Sequence, residues 1–324
     1  MTDLKNKLAP ASLHLAEAVP ATPETKPETT EETMLLRKET LTPAAKKHFK
    51  LPRNPFVDDV QCREDVFLSR DGRYVRAVLL EAALKHGFVA IMGESGSGKS
   101  TLREDLEERI QAEKRPIIVI KPYAREPHKT GAKSLRSSQV ESAIFRALAP
   151  GMPRKSDPDE RTHQMHELLK ASRNAGYCHL LVIEEAHRLP VDTLKQLKNT
   201  MELKDGMKLL IGVVLIGQTR ELEMMLNDRD PAVREIVQRC EQVHLEPLGD
   251  DLQGYLEHKF ERIGVKLADV VDPTAIAAMH TRLTSAEAQS VCYPLVVNNL
   301  MCRAMNAAVK VCWDKVDAQV IAGC

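Results

Sequence analysis

Aromatic residues are scarce. Six Phe, five Tyr and one Trp make up 4% of a 324-residue chain, so Leu, Val, Ile, Ala and Met must fill its core. Net charge is missing as well, because 46 Lys and Arg are matched by 46 Asp and Glu. That excludes a global field attracting nucleic acid and leaves only a local patch able to do so. No apolar run approaches the roughly 18 residues of a membrane span. The N-terminus, "MTDLKNKLAPASLHLAEAVP", lacks a long apolar core and carries Asp3 and Glu17, which argues against a secretory signal. The seven cysteines, at 62, 178, 240, 292, 302, 312 and 324, form no CxxC pair. Reduced thiols in a cytoplasmic protein are the expectation, rather than disulfides or a metal site.

What remains is 43% hydrophobic, enough to bury a core. The length suits one large domain, or a core with a smaller partner. Residues 1–40 read as a disordered tail: "AEAVPATPETKPETTEETM" is rich in Pro, Thr and Glu and has no apolar period, so burial cannot offset its ordering entropy. A solvated leader and a partner-binding arm are both open for it. From "FKLPRNPF" (Phe49 to Phe56) onward the chain reads as globular. Five short apolar runs stand out: "FVAIMG", "PIIVIK", "HLLVIEE", "LLIGVVLIG" and "VHLEPL". They are β-branched and nearly continuous, as strands buried on both faces should be. Helical segments separate most of them: "STLREDLEERIQAEK", "SSQVESAIFRALA", "ERTHQMHELLKASRNAG" and "PVDTLKQLKNTMEL". That alternation predicts an α/β fold with a parallel sheet. After Pro247 the pattern becomes helical throughout, in "DDLQGYLEHKFERIG", "DPTAIAAMHTRL" and "YPLVVNNLMCRAMNAAVKVCW". The expected domains are a nucleotide-binding core over 41–249 and a helical unit over 250–324.

Gly93-Glu94-Ser95-Gly96-Ser97-Gly98-Lys99-Ser100 fits GxxxxGK[ST] without departure, and Thr101 follows it. Glycines let backbone N–H groups turn inward on the phosphates, Lys99 neutralises the β/γ oxygens, and the Ser100 hydroxyl holds Mg2+. A helix beginning near Lys99 aims its N-terminus at the anion. An apolar strand before the loop and an amphipathic helix after it make the match more specific than its residues alone. The motif says ATP or GTP, and leaves open what the nucleotide drives.

Glu184-Glu185 closes the strand "HLLVIEEAH", and an acid at such a tip lies beside the phosphate loop. Glu184 would hold the Mg2+ water shell, and Glu185 would orient and deprotonate the attacking water. At the end of the next strand, in "VVLIGQTREL", Gln218 is the candidate for sensing the γ-phosphate or placing the water, with Thr219 behind it. Arg234 and Arg239, in "DPAVREIVQRCEQVHLEPL", suit a neighbouring subunit's nucleotide as a finger in trans. Arg239 is the first choice and Arg234 its rival, with a surface-helix charge as the plain alternative for either.

Together these residues resemble the AAA+ ATPases, and within them the group holding the ExeA-type secretion ATPases and the TniB, TnsC and phage Mu B transposition proteins. The likeness runs from "FKLPRNPF" through "GESGSGKSTL", "LLVIEEAHRL", "KNTMELKDGMKLLIGVVLIGQTREL" and "QRCEQVHLEPL" to "YLEHKFERIG" and "YPLVVNNLMCRAMNAA". It implies an AAA+ P-loop core with a five-stranded parallel sheet in the order 5-1-4-3-2, a small C-terminal α-helical lid, and ATP-dependent assembly into rings or filaments. It also implies that Asn54, Pro55 and Phe56 pack near the adenine. The chain departs from that pattern twice. Glu184 stands where Asp is usual, and Pro294-Leu295 stands where the lid carries Pro-Arg, with Arg303 two turns on as a substitute. Both departures point to slow hydrolysis and a switch rather than a fast motor.

The basic segment "KPYAREPHKTGAKSLR" sets Lys121, Arg125, Lys129, Lys133 and Arg136 against one acid, Glu126. A solvated basic loop is the plain reading. In the transposition relatives the loop after this strand faces DNA, which makes Lys121, Tyr123, Arg125, Lys129, Lys133 and Arg136 candidate contacts to double-stranded DNA. Lys and Arg there would meet phosphates without reading sequence, and Tyr123 would stack or wedge. Secretion relatives carry a membrane span and a wall-binding region beyond the core, which this sequence does not display. The combination therefore most resembles the B proteins of Mu-like transposable phages, although no helix-turn-helix is visible near the N-terminus. The expectation is a target-DNA-bound homo-oligomer that recruits a transposase, in a bacterial or phage-infected cytoplasm. Its ATPase would be stimulated by DNA and by oligomerisation. The alternative is an ExeA-like secretion, envelope-assembly or regulatory ATPase that does not bind DNA.

Overall fold

The computed structural model describes residues 37–56, 60, 62–122, 135–227, 231–284 and 290–324. The chain enters through a short helix, α1 (Pro43–His48), whose N-cap Thr42 accepts a hydrogen bond from the Ala45 backbone and whose first turn holds a proline. Helix α2 (Arg70–Lys85) follows, capped by the Ser69 side chain accepting from Gly72 and ended by His86 in the left-handed region. Then come β1 (Phe88–Met92), α3 (Lys99–Ala112), β2 (Ile117–Ile120), α4 (Ser137–Leu148), α5 (Pro158–Asn174), β3 (Cys178–Ile183) and α6 (Val191–Met201). A hairpin of β4 (Lys204–Asp205) and β5 (Lys208–Leu209) leads into β6 (Gly212–Gly217), α7 (Thr219–Met225), α8 (Pro231–Val237) and β7 (Glu241–His244). The remainder is helical: α9 (Leu252–Glu261), α10 (Leu267–Val270), α11 (Pro273–Leu283), α12 (Pro294–Lys310) and α13 (Ala318–Ala322).

The five-stranded sheet runs β2-β3-β6-β1-β7, and every pairing in it is parallel. Counting only its strands along the chain, this is the expected 5-1-4-3-2 order. Ala90 of β1 faces Leu215 of β6 on one side and Gln242 of β7 on the other. Alternation of side chains sorts each strand between two layers. Phe88, Ala90, Met92, Leu181, Ile183, Val213 and Leu215 pack with α4 to α8 on one face. Val89, Ile91, Leu180, Val182, Val214, Ile216 and Val243 pack with α2 and α3 on the other. Both faces are covered, so the central strands read as unbroken apolar runs.

Two boundaries differ from the sequence expectation. The run at 209–217 is not one strand: Asp205-Gly206 turns the chain first, with Gly206 at φ +61°, and Met207 stands 98% exposed at the hairpin tip. The last strand also starts earlier than "VHLEPL" indicates, at Glu241, and ends at His244.

The helical unit has a core of its own, and the start of the chain belongs to it. Leu41, Ala45, Phe49, Leu51 and Phe56 are buried in one cluster with Leu252, Leu256, Phe260, Val297, Leu300, Met301 and Met305. Asparagines of α12 hold the entering strand of chain. The Glu39 amide donates to Asn299 Oδ1 at 3.1 Å, the Thr42 amide donates to Asn306 Oδ1 at 2.9 Å, and Asn306 Nδ2 donates to the Thr40 carbonyl at 3.0 Å. The segment expected to open the nucleotide-binding core therefore packs against the lid. No helix among the described residues is long and apolar enough to cross a membrane.

Candidate functional site

The site is built where β1 ends and α3 begins. Gly98 is the N-cap of α3 at φ +101°, a conformation that glycine reaches at no steric cost. That turn lets the chain reverse around an anion and points the first helical N–H groups at it. Lys99, the first residue of α3, is more than half buried and folds back on the loop. Its Nζ donates to the Gly93 carbonyl at 2.6 Å and to the Glu94 carbonyl at 2.8 Å. Burial lowers its pKa, and the carboxylates of Glu94 and Glu185 oppose that shift.

A cavity of about 460 Å3 opens over this loop, lined by Ser95 through Leu102, Glu185, Gln218, Leu245 and Glu246. The lid closes its other side with Leu248, Tyr255, Lys259, Pro294, Leu295 and Asn298. Glu104, Val60, Asp65, Val66, Phe67, Ser69 and Gly72 complete the wall. Sequence reasoning missed most of the lid wall and the 60–72 stretch. The available signal was the i, i+4 spacing of Tyr255 and Lys259 in α9. These two and Asn298 are buried polar-tipped residues. The Tyr255 hydroxyl donates to Asn298 Oδ1 at 2.8 Å, and Lys259 Nζ lies 5.4 Å from the centre of the Tyr255 ring.

Lid and loop touch directly. The Leu295 amide donates to the Gly96 carbonyl at 3.3 Å. Gly96 is at φ +78°, and a Cβ there would come within 2.3 Å of Leu295 Cβ. The leucine that replaces the expected lid arginine is thus packed on the phosphate loop. Arg303, the substitute considered for it, interacts elsewhere: its Nη2 is 3.5 Å from Glu39 and its Nη1 donates to the Cys324 carbonyl at 3.4 Å.

The two acids part company. Glu185 adopts φ +50°, a costly conformation for a non-glycine residue, and its side chain reaches the cavity wall. There it lies 3.7 Å from His187 Nε2 and 3.9 Å from Arg188. Glu184 turns toward α3, where Arg103 Nε donates to its Oε1 at 2.9 Å. Ser100 and Thr101 line the cavity, and Gln218 lines it as the N-cap of α7. A serine hydroxyl with nearby carboxylates is a hard-oxygen set that fits Mg2+.

Other candidates fall away from the cavity wall. The Asn54 side chain accepts from the Phe56 amide at 3.0 Å, and Phe56 is buried edge-to-face on Phe260 with ring centres 5.6 Å apart. Apolar burial in the lid holds this turn, and Asn54, Pro55 and Phe56 are not among the described residues that line the cavity. Arg239 donates to Glu202 Oε1 at 2.5 Å, and Arg234 is exposed on α8; neither lines the cavity of its own chain. Lys121 follows β2 and pairs with Glu107 at 2.6 Å. Arg136 is exposed at the N-cap of α4. Tyr123, Arg125, Lys129 and Lys133 lie outside the described residues.

Residues 83–226 match the family model described as AAA domain. The chain superposes on Cdc6p from Pyrobaculum aerophilum with a TM-score of 0.52 at 16% identity, covering 84% of this chain and 68% of that one. It superposes on the ORC2 protein of Aeropyrum pernix, in ADPNP–ADP complexes, with a TM-score of 0.51 at 14% identity, covering 84% and 70%. Residues 83–226 carry an AAA domain, and the fold around them is the AAA+ P-loop fold. In sequence it is 28% identical over 228 residues to the general secretion pathway protein A of Aeromonas hydrophila. That alignment takes in 68% of this chain and 37% of the relative, so the chain spans well under half the length of that protein. The matched region takes in four of the five sheet strands, the loop after β1, the acids after β3 and Gln218 after β6.

Proposed function

We propose that the chain is an ATP-dependent, non-sequence-specific DNA-binding AAA+ ATPase whose nucleotide state controls assembly. ATP with Mg2+ fills the cavity, homo-oligomers form on duplex DNA, a transposase is recruited to the assembly, and slow hydrolysis releases it. The observation that carries the switch is the contact between Leu295 and Gly96: the phosphate loop and the lid share one apolar joint, so filling the loop must be felt by the lid. Lys99 and Ser100 bind the phosphates and metal in this reading, Glu185 orients water, Gln218 senses the γ-phosphate, and Arg239 or Arg234 serves the next subunit. Lys121 and Arg136 bracket the basic segment, and β2, which leads into it, is an edge strand of the sheet. That edge is the proposed path of the DNA.

A second reading is an ATPase of secretion or envelope assembly that binds no DNA. The likeness to the secretion protein over 68% of this chain favours it. Binding of a labelled random-sequence duplex with ATP, ADP or no nucleotide, at low and high salt, separates the two. The DNA reading expects salt-sensitive binding with ATP only, lost in Lys99→Ala. If ATP binds but the duplex does not in any nucleotide state, the transposition reading fails and the secretion reading leads.

A further inference from the structure

Arg103 lies one helical turn after Lys99 on α3, with its side chain 11% exposed, and one guanidinium gathers three carboxylates. Its Nε is 2.9 Å from Glu184, its Nη1 2.6 Å from Glu107 and its Nη2 2.7 Å from Glu104. Glu107 is itself shared. Its second oxygen is 2.6 Å from Lys121 Nζ, at the end of the edge strand. Four side chains therefore form an unbroken ion chain, Lys121–Glu107–Arg103–Glu184, from the basic edge of the sheet to the acid expected in the metal shell. Sequence gave no warning of it, because Arg103 and Glu107 sit in an ordinary charged helix.

We infer that Arg103 is a positioning residue that competes with the metal–nucleotide for Glu184, and that anion binding at Lys121 sets the outcome through Glu107. The physical argument is one of shared charge. Glu184 cannot pair with Arg103 and also face the cavity that Glu185 reaches. Leaving Arg103 does not strand the guanidinium, because Glu107 and Glu104 remain on it. While Lys121 holds one oxygen of Glu107, that carboxylate is divided between two cations. A phosphate that draws Lys121 away returns Glu107 wholly to Arg103 and weakens the hold on Glu184. The glutamate at 184 also gains a reason: an aspartate, one methylene shorter, would not reach Arg103 from the same backbone. The role of Arg103 stands apart from any DNA; the role of the anion rests on the proposed function.

The test is the Mg2+ concentration for half-maximal binding of a fluorescent ATP analogue by the full chain, with Mn2+ binding followed in parallel by electron paramagnetic resonance. Arg103→Gln should lower that concentration about fivefold, the scale of one surface ion pair. Glu184→Asp should shift it in the same direction, and Lys121→Gln should do so by about twofold. A random-sequence duplex should lower it in wild type and add nothing to Arg103→Gln. If folded Arg103→Gln and Glu184→Asp both keep the wild-type Mg2+ requirement, the competition does not exist. If the duplex binds wild type without moving the requirement, the link through Lys121 is wrong. If no duplex binds, the DNA reading is lost, and the Arg103 and Lys121 variants still decide the ion chain.

Discussion

The sheet and the lid bury apolar surface by different means. Each strand of the sheet divides its own residues between two layers, so Val89 and Ile91 serve one face while Phe88, Ala90 and Met92 serve the other. The information is local and repeats every second residue. The lid makes one cluster from two parts of the chain far apart in sequence, and Phe56 meets Phe260 across it. The sheet side supplies the phosphate loop and both acids. The lid side supplies Leu295, Lys259 and Asn298. The cavity lies on the seam, lined by residues of both regions.

The largest effect on nucleotide binding should come from the sheet side. Lys99→Ala removes a half-buried cation at the phosphate loop. Charge-assisted hydrogen bonds are worth about 1.5–3 kcal/mol each, so affinity for ATP should fall roughly 100-fold by nucleotide titration. The thermal midpoint should hardly move, since among the described residues the Lys99 side chain hydrogen-bonds only loop carbonyls and Ser97. A large loss of stability would mean the lysine is structural. On the lid side the pattern should invert. Phe56→Ala leaves a void beside Phe260 and should cost about 3–5 kcal/mol in chemical denaturation. The lid should unfold first, with the sheet transition retained. A single cooperative loss of both would mean the two cores do not separate.

The same contrast explains what the sequence made legible. The strands, the phosphate loop and the helices after β1 could be read because each is encoded over a few neighbouring residues. So could Leu295, as a departure from a lid motif, although its contact with Gly96 needed the fold. Helix α2 was legible in principle, from Ser69 as a cap and Val75, Val78, Leu79, Ala82 and Ala83 at helical spacing, as was the hairpin from Asp205-Gly206. The docking of 39–56 on α12 was not, since its partners Asn299 and Asn306 lie more than 250 residues away. Nor was the capture of Glu184 by Arg103, where only three-dimensional proximity selects one arginine among many.

Gly96→Ala probes the seam itself. A methyl group there must displace Leu295, and the backbone is already in the left-handed region. Such strain costs of order 1–3 kcal/mol, so about 10-fold weaker nucleotide binding is expected, smaller than for Lys99→Ala. Adding Leu295→Ala should recover part of it by opening room for the methyl. If the double variant is no better than Gly96→Ala alone, the backbone and not the lid contact sets the cost.

The smallest effect at neutral pH should come from the back of the sheet layer, and acid should enlarge it. His86 ends α2, and Arg173 Nη1 lies 3.3 Å from both of its ring nitrogens. Burial, then the charges of Arg173 and His179, lowers its pKa to about 4 from 6.5. His179 is shifted down as well, chiefly by burial. Below about pH 6.5 the unfolded chain takes up protons that the folded one refuses, so stability falls as pH drops toward 4 and is unaffected above 6.5 by these groups. His86→Asn keeps a side chain tolerant of the left-handed region and removes one titration. It should flatten the acid limb of a stability–pH curve between 6.5 and 4 while leaving His179 to supply the remainder. An unchanged limb would place the acid sensitivity outside this pair, and a lid transition that shifts in parallel would tie the two cores together more tightly than their separate packing implies.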